Sequence, residues 1–87
     1  MPTLIAKVTL PDERMLMIRE TTPGWMISAE RRVGGEWVLI GDRWEEHPQD
    51  IPPYVADYTS EEPKWVLEGT GRTVSLADFI ANYRIRD

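Results

Sequence analysis

The side chains in this sequence that could do chemistry are few, and most gather in one place. His47 is the sole histidine, and Glu45, Glu46 and Asp50 flank it. A histidine beside carboxylates can hold a divalent metal or relay a proton. The spacing fits neither use, because structural zinc takes four nitrogen or sulfur ligands and the chain has no cysteine. His47 therefore reads as an exposed loop residue, and no metal site is assigned. Gly69-Thr70-Gly71-Arg72-Thr73 precedes an expected helix start, where free amides and the helix dipole attract anions. It lacks the lysine of a phosphate loop and the third glycine of a dinucleotide fingerprint, so it reads as a turn between strands. Arg31, Arg32, Arg72, Arg84 and Arg86, with tryptophans beside them, would suit single-stranded nucleic acid. Yet Lys and Arg number 10 against 15 Asp and Glu, a net charge of −5. That is the wrong sign for phosphate-driven affinity, so direct nucleic-acid binding is not expected. No catalytic residue and no cofactor is assigned, and the chain reads as a non-enzyme.

The charge is local. Residues 42–62 hold seven acidic side chains and one arginine, a net −6, which leaves the rest of the chain near +1. Trp44, Ile51, Tyr54, Val55 and Tyr58 in the same stretch are too apolar for a solvated linker, while its carboxylates cannot all be buried. Long structureless loops are uncommon in compact domains unless they bind or gate something. The stretch is therefore read as an acidic, proline- and aromatic-rich insertion with a partner-binding role. Glu45, Glu46, Asp50, Asp57, Glu61 and Glu62 would supply charge, and Tyr54 and Tyr58 would be rigid anchors. Trp44 and Ile51 are expected to tuck back onto the sheet.

The elements that must position these residues follow from hydrophobic periodicity. Thr3 to Leu10 alternates with Leu4, Ala6, Val8 and Leu10 on one face, which predicts a half-buried strand. Residues 15–20, 25–32, 36–41 and 64–68 are also read as strands, separated by Pro11-Asp12, Pro23-Gly24 and Gly34-Gly35 turns. Residues 72–74 form a further short extended run. The fourth strand is apolar on both faces, so a central or doubly covered position is expected for it. Ser75 is placed as an N-cap, and Leu76, Phe79, Ile80 and Tyr83 fall on one helical stripe. Arg84 and Arg86 would complement the dipole at the end of that helix. One helical turn is possible within 48–59, with Asp50 as its cap and Pro52 or Pro53 at its first positions.

These elements define a single α+β domain over residues 1–87: an antiparallel meander of four to five strands covered by one C-terminal helix. The expected core is Leu4, Val8, Leu16, Ile18, Ile27, Leu39, Val66, Leu76, Phe79, Ile80 and Tyr83, with Trp25 and Trp37 as candidates to join it. The absence of cysteine and of any apolar leader or span in residues 1–10 gives a cytoplasmic expectation. The leading functional expectation is a protein-binding protein whose acidic face occludes a basic, nucleic-acid-binding host protein by imitating phosphate charge. Size and charge alone liken it to phage-encoded inhibitors of host defence, anti-CRISPR proteins among them. The alternative is an accessory or structural subunit that self-associates through sheet edges or exposed tryptophans. A small nucleic-acid-binding module is third.

Overall fold

The computed structural model describes residues 2–83, the side chain of Tyr83 apart. Six strands form one sheet: β1 (Thr3–Leu10), β2 (Arg14–Glu20), β3 (Trp25–Val33), β4 (Glu36–Glu45), β5 (Trp65–Leu67) and β6 (Thr73–Val74). A 3-10 turn at Pro48–Asp50 leads into helix α1 (Ile51–Ala56), and helix α2 (Leu76–Tyr83) follows β6. All five strand pairings are antiparallel, in the order β4-β3-β2-β1-β5-β6. The first four strands are the expected meander. The chain then passes by way of α1 to the far side of β1, where β5 and β6 complete the sheet. The mainly-β α+β class holds, with six strands and two helices in place of four to five and one.

Alternation decides the core. Val8, Leu10, Leu16, Ile18, Trp25, Ile27 and Ala29 lie on one face and join Ile51, Tyr54 and Val55 of α1, Trp65 of β5, and Leu76 and Phe79 of α2 in a single cluster. Trp25 and Phe79 meet edge to face with ring centroids 5.4 Å apart, which ties α2 to the third strand. Burying a large apolar side chain fully contributes about 1.5–3 kcal/mol, so this layer carries most of the fold. The opposite face is thinly covered. Its Met17 and Ser28 are buried beneath Arg19, whose guanidinium donates to Met17 Sδ at 3.5 Å and Ser28 Oγ at 3.3 Å while its stem shields the apolar surface.

Several expected core positions are corrected. A register shift between Leu4 and Ala6 sets Leu4 opposite Arg19 on the thinly covered face, and Ile5 packs against the core instead. Val66 pairs with Lys7 and Thr73, on the face opposite Trp65, because two neighbours on a strand cannot share a face. Leu39 and Trp37 are not core at all, being 55% and 40% exposed. Trp25 is core, and Ile80 is a partly buried flank of it. The expectations for the Tyr83 side chain, Arg84 and Arg86 lie outside the described residues.

Helix α2 begins as its sequence predicts. The Asp78 amide donates to Ser75 Oγ at 3.1 Å, which satisfies one of the donors a helix start leaves unpaired, and the Phe79 amide donates to the Ser75 carbonyl at 3.0 Å as the first intrahelical bond. Helix α1 is less orthodox. Asp50 precedes it without a side-chain capping bond, contrary to expectation, and the prolines at its start have no N–H to cap.

Candidate protein interface

The acidic stretch is not a loop laid over the sheet. Residues 42–45 continue β4, and the rest forms the 3-10 turn, α1 and the exit toward β5. Ile51, Tyr54 and Val55 point into the core, with Tyr58 packed beside them. Much of the apolar content of the stretch therefore builds the domain. The Tyr54 and Tyr58 hydroxyls lie 3.2 Å apart, and both reach the backbone of β4 at Gly41. A Cβ there would stand 2.5 Å from the Tyr58 oxygen and 3.0 Å from that of Tyr54, so any other residue would force the pair to shift. Arg14 closes the arrangement by donating from Nη1 to the Tyr58 carbonyl at 2.9 Å. The Tyr54 hydroxyl is pushed far above the ordinary phenol range, first by burial, then by its hydrogen bond to Tyr58, then by the negative charges of Tyr58, Asp42 and Asp57.

The eight expected binding residues thus separate. Tyr54, expected as a partner anchor, is 7% exposed and belongs to the core cluster. Tyr58 is half-buried and spends its hydroxyl on Tyr54. Glu45 is half-buried and ion-paired with Arg43, and Glu46 faces His47 at 3.7 Å. Asp50, Asp57, Glu61 and Glu62 are exposed, and among the described residues none of them forms an ion pair. They are distributed around α1 and its exit loop. Glu62 also borders a groove of about 390 Å³ between α1 and α2, lined by Pro52, Leu76, Ala77, Ile80 and Ala81, which nothing in the sequence pattern announces. Trp44, expected to tuck back, lies over Gly24 and donates from Nε1 to Thr21 Oγ1 at 3.1 Å and the Pro23 carbonyl at 3.2 Å, keeping 46% of its surface exposed.

Among the described residues, the remaining chemical candidates do not assemble into a site. No three described His, Cys, Asp or Glu side chains are placed to hold a metal ion. The 69–71 segment is the β5–β6 turn, and Thr70 Oγ1 already takes the Arg72 amide at 3.1 Å. Arg31 and Arg32 sit on β3 while Arg72 lies at the opposite end of the sheet, so these arginines form no strip. Among the described residues no helix is long and apolar enough to cross a membrane.

The surface feature that sequence reasoning missed is β4 itself. Ten consecutive residues, 31–40, are exposed. Strand β2 pairs with β3 only as far as Arg31, so the β3–β4 hairpin projects beyond the body as a two-stranded arm, and the molecule measures 41 Å along its long axis against 26 and 24 Å across. Every exposed large apolar residue among those described lies on this hairpin: Val33, Trp37, Val38, Leu39, Ile40 and Trp44. Strand β4 is also the outermost of the sheet, so its outer backbone groups meet no neighbouring strand among the described residues. The sequence signal was present, in an apolar run of four with neither charge nor proline, but such a run reads alike whether it is covered or bare.

The fold and its edge thus define a small antiparallel β-sheet domain with two short helices on one face and an apolar arm at one margin. No protein family, curated protein or solved structure matches the chain.

Proposed function

We propose that this domain is a non-enzymatic protein-binding module, an accessory or assembly subunit that docks through the free edge of β4. One observation carries the reading: among the described residues, the exposed large apolar side chains are confined to the β3–β4 hairpin, and the outer edge of β4 is unpaired. Proteins ordinarily blunt such edges with charge, proline or extreme shortness, because an open edge recruits other strands. Residues 37–40 carry neither charge nor proline, and β4 is ten residues long. Main-chain hydrogen bonds would give affinity, and alternate side chains on the two faces would give specificity. The apolar run is bounded by Glu36 on one side and by Asp42, Arg43 and Glu45 on the other, the apolar-centre, polar-rim plan of protein interfaces. The test is to replace Leu39 by Lys and measure association by light scattering and by pull-down. The expected result is loss of association with the melting temperature unchanged. Retained association would remove β4 as the docking strand.

A second reading rests on a different observation. Asp50, Asp57, Glu61 and Glu62 are exposed and have no ion-pair partner among the described residues. Such charges suit a basic partner, in the manner of a small anti-defence inhibitor that blocks a nucleic-acid-binding surface of a host protein. Reversing Glu61 and Glu62 to Lys, together with Asp57, should then abolish salt-sensitive capture of that partner and leave edge-mediated association intact. Unchanged capture would contradict it.

A further inference from the structure

The edge reading leaves the occupant of β4 open, and the strand's own sequence and register narrow it. Resting on that reading, we propose that the strand β4 receives is the β4 of a second copy of this chain, paired antiparallel over residues 36–43 about a two-fold axis beside Ile40.

The argument starts from the faces. In β3–β4 the register runs Val33↔Glu36, Arg32↔Trp37, Arg31↔Val38 and Glu30↔Leu39, then shifts to Ala29↔Gly41, Ser28↔Asp42 and Ile27↔Arg43. Ile40 is therefore an extra residue, a bulge that reverses the alternation of the strand. Glu36, Val38, Gly41, Arg43 and Glu45 share the helix-covered face, while Trp37, Leu39, Asp42 and Trp44 share the other. Side chains directly opposite one another in an antiparallel pair must lie on the same face of the continuous sheet. Only an axis at the bulge keeps the faces matched along the whole exposed run, because both copies then reverse together.

Two registers meet that condition. In one, Glu36 opposes Arg43 of the second copy, Trp37 opposes Asp42 and Val38 opposes Gly41. In the other, slipped by two, Glu36 opposes Glu45 and Val38 opposes Arg43. Symmetry doubles each pair, so the first register has two opposite-charge pairs and the second has two like-charge pairs. Cross-strand opposite charges favour pairing and like charges oppose it, so the first register is selected. Arg43 uses Nε for Glu45 of its own chain, which leaves both Nη groups of its fork for the incoming Glu36. Trp44, which the slipped register would bring against Trp37, is already bonded to the Thr21–Gly24 turn. Leu39 and Ile40 of the two copies meet at the axis, Trp37 and Val38 flank them, and charge closes both ends. The two six-stranded sheets become one.

The experiment is sedimentation across a concentration series of the full chain. The wild type is expected to pass from monomer to dimer as concentration rises. E36R sets like charges opposite each other at both ends and leaves the in-chain Arg43–Glu45 pair untouched, so its dimer is expected to weaken by about tenfold or more. The double variant E36R/R43E restores opposite charges across the axis and should recover most of the loss. A wild type that stays monomeric at every concentration overturns the proposal. So does an E36R protein that dimerises as well as the wild type, and one that dimerises better, since that would report Glu36 opposite Glu45. A monomeric wild type that still loses a different protein partner on L39K overturns self-pairing alone. A dimer indifferent to both E36R and L39K overturns self-pairing and the edge reading together.

Discussion

The two margins of the sheet are finished in opposite ways. β6, at one margin, is two residues long and adjoins α2 directly. β4, at the other, is ten residues long, continues into a projecting arm and carries apolar side chains on both faces. A very short edge strand has almost no backbone to offer a neighbour, whereas a long apolar edge is a template for another strand. The same contrast holds between tryptophans. Trp65, next to β6, is wholly buried, while Trp37 on β4 keeps 40% of its surface in water. One margin is packed into the fold, and the other is left exposed.

That contrast predicts where mutations cost stability and where they do not. Phe79→Ala and Trp65→Ala, in the packed half, should each destabilise the fold by about 3–5 kcal/mol in urea titrations. Trp65→Phe should cost far less than Trp65→Ala, because the Trp65 indole N–H is buried without an acceptor among the described residues and phenylalanine removes that unmet donor. Gly41→Val stands at the junction of the two halves. It would drive a side chain into the Tyr54 and Tyr58 hydroxyls and should cost about 1–3 kcal/mol by overpacking, read as a lower urea midpoint.

Tyr54 tests the same junction by pH. Folding raises its hydroxyl above the unfolded phenol value, so the native state holds the proton more tightly than the unfolded chain. Its contribution is full below about pH 10 and is lost as pH rises past that toward the folded value. Chemical denaturation between pH 8 and 11 should show stability falling at the alkaline end, and Tyr54→Phe should flatten that fall. The smallest effect belongs to the arm. Trp37→Lys or Leu39→Lys should change the stability of the isolated chain by no more than roughly 0.5 kcal/mol, as surface substitutions do. A loss comparable to Phe79→Ala would erase the distinction between the margins.

Much of the packed half is legible in the chain before folding. Period-two alternation in β1, β2 and β3 and the Leu76, Phe79, Ile80 stripe mark their buried faces, and Ser75 marks a helix start. Helix α1 was legible in principle, since Ile51, Tyr54, Val55 and Tyr58 have helical spacing. The prolines and surrounding carboxylates obscured how much of that stripe belongs to the core. The exposed arm was not legible, because Trp37-Val38-Leu39-Ile40 describes the chemistry of a strand and not its neighbours. Whether β4 is central or terminal depends on where β5 returns to the sheet, and it returns on the far side of β1. The acidic residues were visible as charge, but their distribution around α1 emerged only once that helix had packed.

The most direct test of the account is amide hydrogen exchange along β4, compared between dilute and concentrated protein. Outward-facing amides of residues 36–43 should exchange rapidly when dilute and become protected on concentration, while those bonded to β3 stay protected throughout. Exchange along β4 that is indifferent to concentration would contradict the claim that this edge is built to receive a second copy.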